Sequence, residues 1–105
     1  MMTPDRVFMT EVVEYDAVGP IMRSGEIAEA VIDAVADDNP NCDVYVTDRG
    51  DYLHIHTLHD CRLTKASMER NLGRIYDLAM LEIEMSSFAG RMQTSDREYR
   101  WYFKS

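Results

Sequence analysis

The 105 residues predict an α+β domain in which mixed, mainly antiparallel sheet packs on about three helices. Three observations carry this. Strand-like alternation occurs in several short runs; the stretches between them show helical spacing with capping residues; and 46 % hydrophobic against 29 % charged residues is the balance of one folded domain of this length.

Residues 1–16 mix Thr, Pro, Asp and Glu with short apolar pairs and keep no period, so they are expected to be a flexible tail, with the folded domain at 17–105. Val18-Gly19-Pro20-Ile21-Met22-Arg23 reads as a strand. Pro20 cannot donate a ladder hydrogen bond, which predicts an edge strand or one beginning near Pro20. Ser24 offers an N-cap, and Ile27, Ala28, Val31, Ile32 and Val35 then fall at helical spacing over 25–38, with Glu26, Glu29, Asp33 and Asp37 outward. Asp38-Asn39-Pro40-Asn41 stops that helix. Residues 43–48 and 52–58 alternate about an Arg49-Gly50-Asp51 turn and predict a hairpin with His54 and His56 on its solvent side. After a short Cys61-Arg62-Leu63 strand, Thr64 caps a two-turn helix closed by Gly73. Asp77 caps another, whose Leu78, Leu81 and Met85 share a face, with Phe88-Ala89-Gly90 at its end. Residues 91–94 and 99–103 form a last hairpin, in which Tyr99, Trp101 and Phe103 share a face.

The net charge of −8 is unevenly spread: residues 1–60 hold 13 acidic and 3 basic residues, residues 61–105 hold 6 and 8. Such a field repels polyanions, excludes nucleic acid as a partner and favours a partner with a basic surface. It also keeps a small protein monomeric when free. No apolar run reaches the roughly 18 residues of a membrane span, and the N-terminus lacks the pattern of a signal peptide. A cytoplasmic location without membrane contact is expected, with Cys42 and Cys61 reduced.

His54, His56, His59 and Cys61 are the residues with metal-ligand chemistry, but they lack any paired Cys or His-Glu-x-x-His frame. A small metal- or ligand-binding domain built on these four is the alternative reading. No nucleophile elbow or Gly-rich phosphate loop is present, and Glu82 and Glu84 are spaced so that they do not face each other. The residues thus show no visible catalytic equipment, with no catalytic, cofactor-binding or metal residue to name, and a small acidic domain of this kind most often works by binding another protein. Among eight methionines, Met22 and Met92 are candidates for an adaptable contact surface.

The segments 18–26 (Val-Gly-Pro-Ile-Met-Arg-Ser-Gly-Glu), Asp38-Asn39-Pro40, Asp48-Arg49, Leu72-Gly73-Arg74 and 81–90 (Leu-Glu-Ile-Glu-Met-Ser-Ser-Phe-Ala-Gly) together resemble the effector family of soluble diiron monooxygenases. The likeness spans about residues 17–104 and is greatest to the small regulatory (coupling) proteins of toluene, alkene and isoprene monooxygenases. It implies a cofactor-free component that binds a diiron hydroxylase near its active site and couples electron and O₂ use to hydrocarbon oxidation. The family's docking surface overlaps that of the electron-donating ferredoxin, so competition is expected. Gly19, Pro20, Ile21, Met22 and Arg23, with Phe88, Gly90 and Arg91 beside them, are the expected hydroxylase-binding residues. Gly19 and Gly90 would allow close backbone approach, Met22 would adapt, and Arg23 would pair with a carboxylate.

Overall fold

The computed structural model describes residues 8–9 and 16–103. The expected tail thus lies outside the described residues, apart from Asp16 and a two-residue strand β1 (Phe8–Met9). That strand pairs in parallel with β3 (Val44–Asp48). Strand β2 (Ala17–Arg23) leads into helix α1 (Glu26–Asp38), and β3 forms the expected antiparallel hairpin with β4 (Tyr52–Leu58). There follow β5 (Asp60–Thr64), α2 (Lys65–Leu72), a 3₁₀ turn (Leu78–Met80), α3 (Leu81–Glu84), β6 (Met85–Ala89), β7 (Arg91–Thr94) and β8 (Glu98–Tyr102).

Two sheets result, one ordered β1-β3-β4-β2-β6 and the other β5-β8-β7. Helix α1 contacts strands of both and buries Ala28, Val31, Ala34 and Val35 completely, and the core continues through Val18, Ile55, Leu63, Met68 and Trp101. Four alanines on α1 (28, 30, 34 and 36) let its backbone approach both sheets.

Strand β2 is not an edge. It lies between β4 and β6, and Pro20 is accommodated because the β2–β4 register skips Gly19 and Pro20, where no N–H is asked of the ring. Ser24 does not cap α1. Gly25 holds that position, while Ser24 Oγ donates to Gly50 O at 2.6 Å and its N–H donates to Asp51 O at 2.8 Å, tying the end of β2 to the β3–β4 turn.

The helix expected from Asp77 to Phe88 stops at Glu84, and the next five residues are strand. Leu78 and Leu81 occupy the inner face as their spacing implies. Beyond Glu84, Ser86, Ser87 and Phe88 are weak helix formers, and pairing with β2 overrides what propensity remains. Met22 is a fully buried core residue, and Met92 packs half-buried against the core.

Local chemistry fixes the other elements where the residues suggest. Thr64 Oγ1 accepts from Ser67 N at 3.2 Å, Gly73 takes the left-handed conformation (φ 74°), and Asp77 accepts from Ala79 N at 3.0 Å. Asp38, at the end of α1, accepts from Thr64 N at 2.7 Å and from Ser67 Oγ at 2.6 Å, docking the start of α2 on the end of α1.

Asn39 does more than end α1. Its buried side chain donates to Val35 O (2.7 Å) and Arg62 O (2.8 Å) and accepts from Arg62 N (3.0 Å), so helix and second sheet share one amide. Asn39→Ala leaves these backbone groups without that partner and should lower stability by about 2–4 kcal/mol, read as a fall in the urea midpoint at constant slope.

Candidate functional site

Pairing of β2 with β6 brings the two expected binding segments side by side, with Gly19 opposite Ala89 and Pro20 opposite Phe88. Within the pair, exposure divides the residues. Gly19, Pro20 and Met22 are buried and Ile21 is half-buried, whereas Arg23, Phe88, Gly90 and Arg91 are exposed. Both glycines have an internal reason to be small. A Cβ on Gly19 would lie 2.1 Å from Ile55 O, and one on Gly90 2.6 Å from Val18 Cγ1 and 2.8 Å from Tyr102 O. Each therefore permits a close approach within this chain, to β4 at Gly19 and to Val18 and β8 at Gly90. Among the described residues β6 is also the outer strand of its sheet, with β2 as its single neighbour.

Among the described residues, four of the five large exposed apolar side chains fall in one stretch of sequence that ends on this strand. Ile75 (88 % exposed), Met80 (47 %), Ile83 (63 %) and Phe88 (39 %) fall within fourteen residues; Tyr52, on β4, lies outside that stretch. The helical period marks Leu78, Leu81 and Met85 as the inward face and leaves Ile75, Met80 and Ile83 off it. The signal was available in the spacing: Met80 and Ile83 stand three apart, offset from the inward pair Leu78 and Leu81.

The four candidate metal ligands do not converge, and among the described residues no group of three or more His, Cys, Asp or Glu side chains is placed to hold a metal. Cys61 sits in the core opposite Trp101, where burial pushes its thiol up to about 12, far from the thiolate that metals bind. His59 points elsewhere, its Nε2 lying 3.0 Å from Asp16 Oδ2 on a residue with φ 71°. His54 and His56 do share one side of β4, with ring centroids 5.9 Å apart, yet that side is not simply solvent: His54 is half-buried and His56 only 8 % exposed.

His56 has a measurable consequence. Burial first, and His54 second, lower its pKa from the ordinary histidine value to about 4, and its ring nitrogens have no hydrogen-bond partner among the described residues. The folded chain resists a proton that the unfolded chain accepts, so acid favours unfolding. The contribution is complete above pH 6.5, falls as pH drops and is gone below about pH 4, a total of roughly 3 kcal/mol. Urea midpoints at pH 7 and pH 5 should show the decline, and His56→Leu should flatten it.

Fold and surface together define a small α+β module whose outer strand β6 is preceded by a stretch of exposed apolar side chains. The chain belongs to the MmoB/DmpM family, whose model matches residues 16–102. It is 61 % identical over 88 residues (84 % of this chain, 87 % of the relative) to the effector subunit of the alkene monooxygenase system of Xanthobacter autotrophicus (strain ATCC BAA-1158 / Py2). Its fold is that of a chain in a phenol hydroxylase–regulatory protein complex (TM-score 0.70, 19 % identity, 84 % of this chain and 98 % of that one). It is also that of the soluble methane monooxygenase regulatory protein B (TM-score 0.62, 20 % identity, 90 % of this chain and 70 % of that one).

Proposed function

We propose that this chain is the effector component of a multicomponent diiron monooxygenase, a protein that carries no redox group and acts by docking on the hydroxylase near its active site. The observation that carries the reading is the 61 % identity to an alkene monooxygenase effector subunit across nearly all of the folded residues. The exposed members of the β2–β6 pair, Arg23, Phe88, Gly90 and Arg91, are the contact residues in this reading, with Gly19, Pro20, Ile21 and Met22 as the layer that supports them. The free protein is a monomer, and docking excludes the electron-donating ferredoxin from the same surface.

An effector changes a hydroxylase only through its different affinities for two hydroxylase states, each 1.4 kcal/mol of difference shifting their ratio about tenfold. Steady-state oxidation by the cognate hydroxylase, reductase and ferredoxin, with an alkene as first substrate, tests the reading. Product formed per NADH consumed should rise as this protein is titrated and saturate near one per active site. Absence of both a complex and any change in rate or coupling would remove the effector assignment. Arg23→Glu reverses a charge at the proposed contact and should weaken hydroxylase binding about tenfold, while leaving the melting temperature nearly unchanged; equal affinity would remove Arg23 from the contact.

A further inference from the structure

The turn that precedes β6 carries an apolar ridge that the docking reading does not use. Met80 and Ile83 belong to one short helical stretch and lie three residues apart, hence side by side, on the face opposite the buried Leu78 and Leu81. Ile75 extends the exposed apolar surface toward α2 in sequence. A segment this exposed usually sheds large apolar side chains or moves freely, but this one is pinned at both ends.

At the leading end, Tyr76 N donates to Glu69 Oε2 at 2.9 Å, Lys65 Nζ donates to Tyr76 O at 2.7 Å, and Lys65 also pairs with Glu69. At the trailing end, Tyr99 of β8 donates its hydroxyl to Glu82 Oε2 at 2.5 Å. The ridge is therefore presented in a fixed pose before any partner arrives, which removes part of the ordering cost of binding.

Its electrostatic setting indicates what it meets. Asp77, Glu82 and Glu84 stand among the ridge residues, and α1, which contacts α3, adds an acidic outer face. Arg74, the basic residue of the same turn, is already engaged by Glu26 at 3.2 Å.

We infer that Ile75, Met80 and Ile83 form a second contact surface, which seats in an apolar groove rimmed by Lys or Arg on the hydroxylase component. This rests on the effector reading above and names a part of the interface beyond the β2–β6 pair. Tyr99 is a positioning residue for it, acting through Glu82.

The test measures binding of the purified hydroxylase to the full-length wild-type chain, to Ile83→Ser, to the double variant Met80→Ser/Ile83→Ser and to Tyr99→Phe, at low and high salt. Melting temperature and light scattering are recorded alongside. The double variant should raise the dissociation constant by about tenfold or more, with Ile83→Ser accounting for much of it, and neither should melt lower by more than a few degrees. Tyr99→Phe should give an intermediate loss, because the ridge remains but its pose relaxes. Wild-type binding should weaken with salt, as an acidic rim on a basic one requires.

If the serine variants bind like wild type while Phe88→Ser binds worse, the ridge is not a contact and the effector reading stands. If the wild-type chain does not bind the hydroxylase at all, both fail. A wild-type dimer that the double variant dissolves would assign the ridge to a second copy of this chain and overturn the proposal.

Discussion

Gly19→Ala should be the most damaging conservative change in the first sheet. Gly19 has φ 146°, a conformation that residues with a side chain rarely adopt, and its missing Cβ leaves room for Ile55 O, which would be 2.1 Å from it. Backbone strain of about 1–3 kcal/mol adds to an overpacking cost of similar size, and neither can relax, because the obstructing atom is main chain of a paired central strand. A loss of about 3 kcal/mol or more is expected, out of the 5–15 kcal/mol that stabilises a typical domain. The melting temperature should drop by at least about 12 °C. Gly50→Ala is the matched control. Gly50 also has positive φ (84°), but a Cβ there meets nothing within 4 Å, so only the strain remains. If both variants melt alike, close approach of β2 to β4 is not what demands glycine at position 19.

Trp101→Ala should have a comparable or larger effect in the second sheet. Trp101 is fully buried on β8, the central strand, between Cys61 of β5 and Met92 of β7, and Tyr99 lies beside it with ring centroids 6.1 Å apart. Truncation removes the largest core side chain and opens a cavity that two flanking strands cannot close, at a cost of about 3–5 kcal/mol. Trp101→Phe should cost distinctly less. It leaves a smaller void and also removes the indole N–H, which has no hydrogen-bond partner among the described residues. Since Trp101 is the sole tryptophan, the comparison is made by circular dichroism during urea unfolding. Equal losses for the two variants would show that ring size at this position does not govern the packing.

What could be read from the residues was local. Thr64, Gly73 and Asp77 act on atoms within a few positions of themselves, so the limits of α2 and the start of the 3₁₀ turn follow from chemistry that the sequence displays. The β3–β4 hairpin is equally local. Strand β6 was not legible, because Leu78, Leu81 and Met85 fit a helical period and only the distant β2 makes the residues after Glu84 extended. Pro20 misled for the same reason: its missing N–H argues for an edge, and the gap in the β2–β4 register that excuses it is a tertiary feature. His56 looked outward by alternation and is buried by its neighbours.

The candidate site divides along the same line. Adjacency of residues 19–23 with 88–91 was anticipated through resemblance to the effector family, and the pairing of β2 with β6 supplies the contact. Which of those residues face outward could not be anticipated. Exposure is set by packing, and packing made Gly19, Pro20 and Met22 part of the interior. The exposure of Met80 and Ile83 was not legible, because large apolar residues in a helical stretch are ordinarily core, and Ile75 lies in a loop that no period marks.

The pairing of β2 with β6 also bears on how the protein comes to be active. The strand that carries Phe88 joins a partner almost at the other end of the domain, so nearly the whole chain must be enclosed as a loop before the first sheet acquires its outer strand. Non-local closures of this kind slow folding into the range of milliseconds to seconds. A nascent chain lacking β6 would leave the far side of β2 open to pairing with other chains. A peptide copied from residues 75–91 would have the right side chains but no β2 to hold them extended, and should neither adopt the strand nor compete with the intact protein.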